Sequence, residues 1–303
     1  MHFADRLFEA VRAKKTPLCV GLDPRWESLP ERIRSRHGDT LRGRARAYEE
    51  FCCRALDIVS PVVAVVKPQS AFYEACGPAG MTTLQLVLRR ARHQGLVTIL
   101  DVKRNDIAST AEAYADAMFR VYDADAVTLN PYLGRDSIEP FLKVARPLHR
   151  GIFVLVRTSN AGSNQFQGLT CGDRPLHMHV GDAVRQWTEE NIGASGFGDV
   201  GAVIGATHPA ELNELRERLS TVPFLVPGYG AQGGTARDTA GAFASSGLGA
   251  VVNSSRGVLF PTAPSDPSWE SAIERAARNA IRDLAEHTFA GKLSDGASSA
   301  ELT

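Results

Sequence analysis

The chain has 303 residues, 44% of them hydrophobic, with Lys+Arg and Asp+Glu balanced at 34 each. That length admits one large core or two small ones, and the charge balance gives no general attraction to nucleic acid or to an anionic membrane surface, so any anion site must be local. Five cysteines (Cys19, Cys52, Cys53, Cys76, Cys171) with no CxxC spacing speak against a disulfide framework or a zinc knuckle, and the absence of an apolar leader or of a run near ~18 apolar residues makes a cytoplasmic protein the expectation.

In chain order, an amphipathic helix is expected over Phe3 to Lys14, followed by the apolar run PLCVGL (17–22). The spacer RARAYEEFCCRALDIV reads as a helix carrying Cys52 and Cys53 as core or half-buried thiols. VVAVVK (62–67) comes next, then the helix TTLQLVLRRARHQG closed by Gly95, then LVTILD (96–101), AVTLN (126–130) and IFVLVR (152–157). A long loop over 161–180 precedes VGAVIG (200–205). In THPAELNELRERL, Thr207 is the expected N-cap and Pro209 sits in the first turn. VPFLVP (222–227) and GAVVN (249–253) are the last runs, PTAPSDP (261–267) leads into a final helix, and GKLSDGASSAELT is small and polar.

The eight apolar runs are short, β-branched and not alternating, as parallel strands buried on both faces are. Eight βα units in series behind one helix imply an α/β fold, the (β/α)8 TIM barrel, with an open doubly wound sheet as the alternative. The expected organisation is a single barrel domain over residues 1–290 and a disordered tail over 291–303.

The stretch ILDVKRNDIAST (99–110) places Asp101, Lys103 and Asp106 within six positions at the end of an apolar strand. Buried charge is costly unless paired. In a barrel all strand C-termini face one rim, where the chemistry of this fold resides. Asp23 follows the first strand, Lys67 ends the second, Asp101 and Lys103 end the third, and Thr158, Ser159 and Asn160 follow the fifth. Alternation puts Asp101 and Lys103 on one face, so Asp23, Lys67, Asp101 and Lys103 can form an alternating chain of acids and bases. A DxKxxD alone is more often a solvated salt-bridge cluster. Yet the chain has only six lysines, and two of them end neighbouring strands.

PGYGAQGG and NSSRG follow the seventh and eighth strands, where this fold commonly binds phosphate. Glycines would let backbone N–H groups approach an oxyanion, with Arg256 beside two hydroxyls; two ordinary turns and a surface arginine are the plainer reading. His177 and His179 lie in the long loop without a matched carboxylate, so a solvent-exposed pair is expected rather than a metal site. The loop 161–180 is long enough for a lid or a plain insertion.

KPQSAFYE, DVKRNDI, LNPYLGRDS, VRTSN, PGYGAQGG and NSSRG, in that order, resemble the bacterial orotidine 5'-phosphate decarboxylases, specifically their longer (type 2) subfamily, over roughly residues 17 to 260. The resemblance implies decarboxylation of orotidine 5'-phosphate to uridine 5'-phosphate and CO2 in pyrimidine biosynthesis, with no metal and no cofactor. It implies Lys103 as proton donor to C6 of the pyrimidine, Asp101 beside the departing carboxylate, and Lys67 and Asp23 continuing toward the ribose. It further implies a homodimer in which Asp106 and Thr110 enter the partner's site, Ser159 on the base, and Gln232 and Arg256 on the phosphate. Asn105 and Val102 depart from the family's DAKRGDI-like string, so the turn at Asn105 is expected to be left-handed. Three rivals remain: a magnesium-dependent sugar-phosphate decarboxylase or aldolase, a Schiff-base enzyme using Lys67 or Lys103, and a non-catalytic phosphoribosyl-ligand binding protein.

Overall fold

The computed structural model describes residues 1–230 and 233–293. Helix α1 (Phe3–Lys14) buries Phe3, Ala4, Leu7, Phe8 and Val11, the spacing of one helical face, and ends where Lys15 turns left-handed (φ 56°). The strands follow as β1 (Leu18–Leu22), β2 (Val65–Pro68), β3 (Val97–Arg104), β4 (Ala126–Leu129), β5 (Gly151–Arg157), a hairpin of β6 (Thr170–Cys171) and β7 (Arg174–Pro175), then β8 (Val200–Ile204), β9 (Phe224–Val226) and β10 (Ala250–Ser254). All but the hairpin pair in parallel and close on themselves in the order β1-β2-β3-β4-β5-β8-β9-β10, with β10 returning to β1 through Leu18↔Val252. The expected (β/α)8 barrel is the fold, and each of the eight apolar runs overlaps one of its strands.

The intervening helices are α2 (Glu31–His37), α3 (Leu41–Val59), α4 (Ser70–Glu74), α5 (Gly77–His93), α6 (Ala108–Asp116), α7 (Arg135–Ala145), α8 (Asn164–Gln167), α9 (Leu176–Glu189), α10 (Pro209–Arg218), α11 (Arg256–Leu259) and α12 (Trp269–His287). Two apolar clusters divide the strand residues by parity. Leu18, Val20, Val66, Leu100, Val127 and Val252 pack outward against helices, while Cys19, Val65, Val97, Ile99, Ala126 and Val251 fill the barrel together with α1. Each buried Val, Leu or Ile side chain among them contributes about 1.5–3 kcal/mol. The same two-residue period places Lys67, Asp101 and Asn253 on the inward face one step beyond the apolar layer. The barrel mouth is therefore polar by register.

At the opposite end α1 acts as a plug. The Phe3 ring meets Phe153 edge-on at 6.2 Å and lies so close to Gly151 that a Cβ there would stand 2.2 Å from it. Buried Asp125 anchors this end, accepting from Thr98 N (2.8 Å) and Oγ1 (3.0 Å), Arg6 Nη1 (2.7 Å) and Arg150. These charges form structural ion pairs, with Arg150 Nε the one buried polar atom among them left without a hydrogen-bond partner among the described residues.

Four local expectations change. His208, not Thr207, occupies the N-cap of α10; the Thr207 hydroxyl instead donates to the Ser159 carbonyl (3.3 Å). Residues 161–180 form a 3-10 turn (Ala161–Ser163), α8, the hairpin and the start of α9 rather than a bare loop. Within α9, His177 is 3% exposed, its Nδ1 2.9 Å from the Gln167 carbonyl, and His179 is half-buried, so the pair is not solvent-exposed. A 3-10 turn, Phe289–Leu293, covers the first residues of the expected tail, and 294–303 lie outside the described residues. Cys52 is buried and Cys53 half-buried on α3, as expected. Among the described residues no helix is long and apolar enough to cross a membrane.

Candidate active site

Asp101 sits at the mouth of the barrel with its side chain only 10% exposed, and both oxygens are engaged. Oδ2 is 2.6 Å from the Nζ of Lys67, itself 5% exposed, and Oδ1 is 2.6 Å from the Nζ of Lys103 and accepts from Thr128 Oγ1 at 2.8 Å. Burial alone would raise the carboxyl's pKa, but the two ammonium groups outweigh it and hold Asp101 well below the usual carboxylate range. Burial likewise pushes Lys67 down, and the charges of Asp101 and Asp23 more than reverse that, so its pKa is raised. Asp23 joins through its field, while its Oδ1 accepts the N–H of Gln69 at 3.2 Å. The result is a pre-ionised array with Lys103, 45% exposed at its side chain, as the ammonium facing the open cavity.

Lys103 reaches Asp101, but not through an unbroken strand. The β3–β4 register runs Leu100↔Val127 and then Arg104↔Leu129, an irregularity that sets residues 101–103 against Thr128 alone. Lys103 takes φ 47° and Ala108 φ 46°, whereas Asn105 is not left-handed, contrary to the expectation for that turn. Within the turn the strain falls on the lysine rather than on Asn105, at a cost of about 1–3 kcal/mol, with the Lys103 N–H bonded to Thr128 Oγ1 (3.0 Å).

The cavity above this array has a volume of about 840 Å³. Leu155, Val203 and Leu225 supply apolar lining, suited to one face of a planar ring. Ser159 lines one side, packed so tightly that a Cβ on Gly205 would lie 2.8 Å from its Cα and one on Gly228 3.4 Å from its Cβ. Arg256, the first residue of α11, lines another side beside Gly228 and Tyr229. The glycine loop differs from expectation in one respect. Gly230 N donates to Gly234 O (2.7 Å), Gly233 N to Gly230 O (2.8 Å) and Gly234 N to Gly228 O (3.1 Å), so these N–H groups build the turn instead of facing a ligand. Positive φ at residues 228 (101°), 230 (77°) and 233 (94°) makes glycine the fitting residue there. The loop is tied down by Tyr229, whose hydroxyl donates to Asp283 Oδ2 at 2.7 Å. Gln232 lies outside the described residues.

Of the expected site residues, Asp23, Lys67, Asp101, Lys103, Ser159 and Arg256 line this one cavity. Asp106 and Thr110 do not; Asp106 Oδ1 accepts the N–H of Ile107 (2.9 Å) and Thr110 is exposed. Several lining residues were missed. Thr128 carried a usable signal, a hydroxyl at an inward position of AVTLN. Gln167, which exchanges hydrogen bonds with Thr158 (2.9 and 2.8 Å), and Arg25, 5.2 Å from the Phe72 ring centroid, carried none. Asn253 and Ser255 also line the cavity, and Asn253 Oδ1 and Ser255 Oγ are buried with no hydrogen-bond partner among the described residues. Among the described residues no cluster of three or more His, Cys, Asp or Glu side chains is placed to hold a metal ion.

Residues 16–266 match the model of the orotidine 5'-phosphate decarboxylase / HUMPS family. An orotidine 5'-phosphate decarboxylase of Rhodopirellula baltica is 43% identical over 291 residues, covering 91% of this chain and 96% of that protein. One from Clostridium perfringens is 40% identical over 259 residues, covering 85% and 88%. Among solved structures, the Leishmania donovani OMP decarboxylase superposes with a TM-score of 0.75 at 36% identity, covering 95% of this chain and 98% of that one. A putative orotidine-monophosphate-decarboxylase of Toxoplasma gondii gives 0.82 at 32%, covering 97% and 99%. With barrel, strand-end charges and relatives in agreement, the chain belongs to the orotidine 5'-phosphate decarboxylase / HUMPS family, on its carboxy-lyase side.

Proposed function

We propose that the chain converts orotidine 5'-phosphate into uridine 5'-phosphate and CO2, in pyrimidine biosynthesis, with Lys103 as the acid and without a metal ion. The observation that carries this reading is the buried Asp101 carboxylate gripped by two ammonium groups at 2.6 Å each, one of them facing an 840 Å³ cavity. As the C6–carboxylate bond breaks, its electron pair stays on C6, a ring carbon that delocalises charge poorly. A fixed ammonium beside it is the group that lowers this barrier most. The Lys103 proton moves to C6, CO2 leaves, and the neutral amine is reprotonated from solvent. Asp101, kept ionised by its partners, would sit beside the substrate carboxylate, disfavouring the bound ground state and so favouring that group's departure.

Arg256 and Gln232 are assigned to the phosphate, Ser159 to the base, and Lys67 and Asp23 to the ribose. Asp106 and Thr110, which lie outside the cavity of their own chain, are assigned to the cavity of a second copy in a homodimer. Binding energy from the remote phosphate would hold the closed site together around the reacting carbon. The test is the loss of orotidine 5'-phosphate absorbance on adding purified protein, with and without EDTA. Equal turnover in both supports the reading; no turnover sinks it, and turnover abolished by EDTA and restored by magnesium returns the metal-dependent rival.

A further inference from the structure

We infer that Thr128 is a positioning residue for Lys103: its single hydroxyl fixes both the main chain that carries the acid and the counter-ion that holds it. The inference rests on the decarboxylase reading of this site. Thr128 is buried on β4, on the inward side with Ala126, opposite the three residues that the β3 irregularity sets against it. Its Oγ1 accepts from Val102 N (3.0 Å) and Lys103 N (3.0 Å) and donates to Asp101 Oδ1 (2.8 Å), the oxygen that Lys103 Nζ also reaches at 2.6 Å. A hydroxyl has two acceptor sites and one donor, and all three are used.

The geometry explains how a lysine can sit at φ 47° at the end of a strand. The irregularity withdraws the N–H groups of residues 102 and 103 from the ladder, and the hydroxyl replaces the lost acceptor for both. Because the same atom orients the Asp101 carboxylate, the ammonium is aimed by a closed set of bonds, Thr128 to Asp101 to Lys103 side chain and Lys103 main chain back to Thr128. Valine has nearly the same shape and none of these bonds. Serine retains all three.

The experiment compares Thr128→Val and Thr128→Ser with the wild type by turnover of orotidine 5'-phosphate, affinity for uridine 5'-phosphate, and amide hydrogen exchange over residues 97–110. Misplacement of a reacting group by about an ångström costs ~100-fold, so Thr128→Val is expected to lose about that factor in kcat while product affinity stays within about threefold. Exchange at residues 102 and 103 should quicken in Thr128→Val only, and Thr128→Ser should keep near-normal turnover. Where Thr128→Val does not fold, Thr128→Cys, with a weak thiol donor and acceptor, carries the same comparison. Unchanged kcat in the valine variant, equal losses in kcat and product affinity, or a serine variant as impaired as the valine one would overturn the inference. An inactive wild type would instead sink the proposed function, and the exchange comparison would still decide whether the hydroxyl holds Lys103.

Discussion

Replacing Asp101 by Asn removes one charge and strands two others unequally. Lys67 is 5% exposed and among the described residues its only ion-pair partner within contact distance is Asp101, whereas the Lys103 side chain is 45% exposed and can rehydrate. The dominant cost is thus a buried ammonium left uncompensated, about 3–5 kcal/mol for breaking such a pair, with the Lys103 share discounted because solvent screens it. In a chain of this length each kcal/mol moves the melting temperature by about 2–4 °C, so Asp101→Asn should melt roughly 6–20 °C below wild type. Adding Lys67→Met removes the stranded charge and should recover about half of that loss or more.

The pH dependence follows from the directions of the two shifts. Asp101 is lowered in the folded state, so its contribution is present above its unfolded pKa, about 4, and is lost as pH falls toward the folded value. Lys67 is raised, so its contribution is complete below its unfolded pKa, about 10.4, and is lost as pH rises through the folded value. The gap between wild type and Asp101→Asn should be flat through neutral pH and narrow below about pH 4. Thermal unfolding by circular dichroism across pH 3–9 measures it. A variant melting with the wild type at pH 7, or a double variant in which the two losses simply add, would refute the reasoning.

Lys103→Ala should lower decarboxylation by at least about 10⁴-fold, since it removes both the acid and the charge beside C6, while uridine 5'-phosphate still binds by calorimetry; near-normal turnover would unseat Lys103 as the donor. Arg256→Ala should weaken uridine 5'-phosphate about 10- to 100-fold and leave uridine unchanged, because a charge-assisted contact to phosphate alone is lost; equal losses would place Arg256 elsewhere. Homodimers of Lys103→Ala and of Asp106→Asn should both be impaired, and co-refolding them should restore about a quarter of the wild-type rate, since half of randomly paired dimers are mixed and each holds one intact site of two. A mixture showing only the average of the two variants would keep Asp106 in its own chain.

What the sequence by itself determined is whatever depends on local period. Eight short apolar runs separated by helix-length spacers point to a parallel α/β sheet, the barrel ahead of the open doubly wound alternative, and the two-residue alternation that turns Val65, Val97 and Ile99 inward also carries Lys67 and Asp101 to the inner mouth. Lysines at two neighbouring strand ends were therefore legible as a site before any contact was known. The tertiary structure decided what depends on register between distant strands. The irregularity that gives Lys103 its left-handed backbone arises from how β3 lies on β4, so the strain fell on Lys103 and not on Asn105. The glycines after β9 read as letting backbone N–H groups approach an anion, and of those groups the ones on Gly230, Gly233 and Gly234 are spent on the turn itself. His177 read as exposed until α9 buried it beside the residues following β5. Thr128 shows the difference most sharply: its side chain is 25 to 27 residues from every group it binds. A hydrogen bond is short and directional, so which atoms it joins is fixed only when the strands have chosen their register.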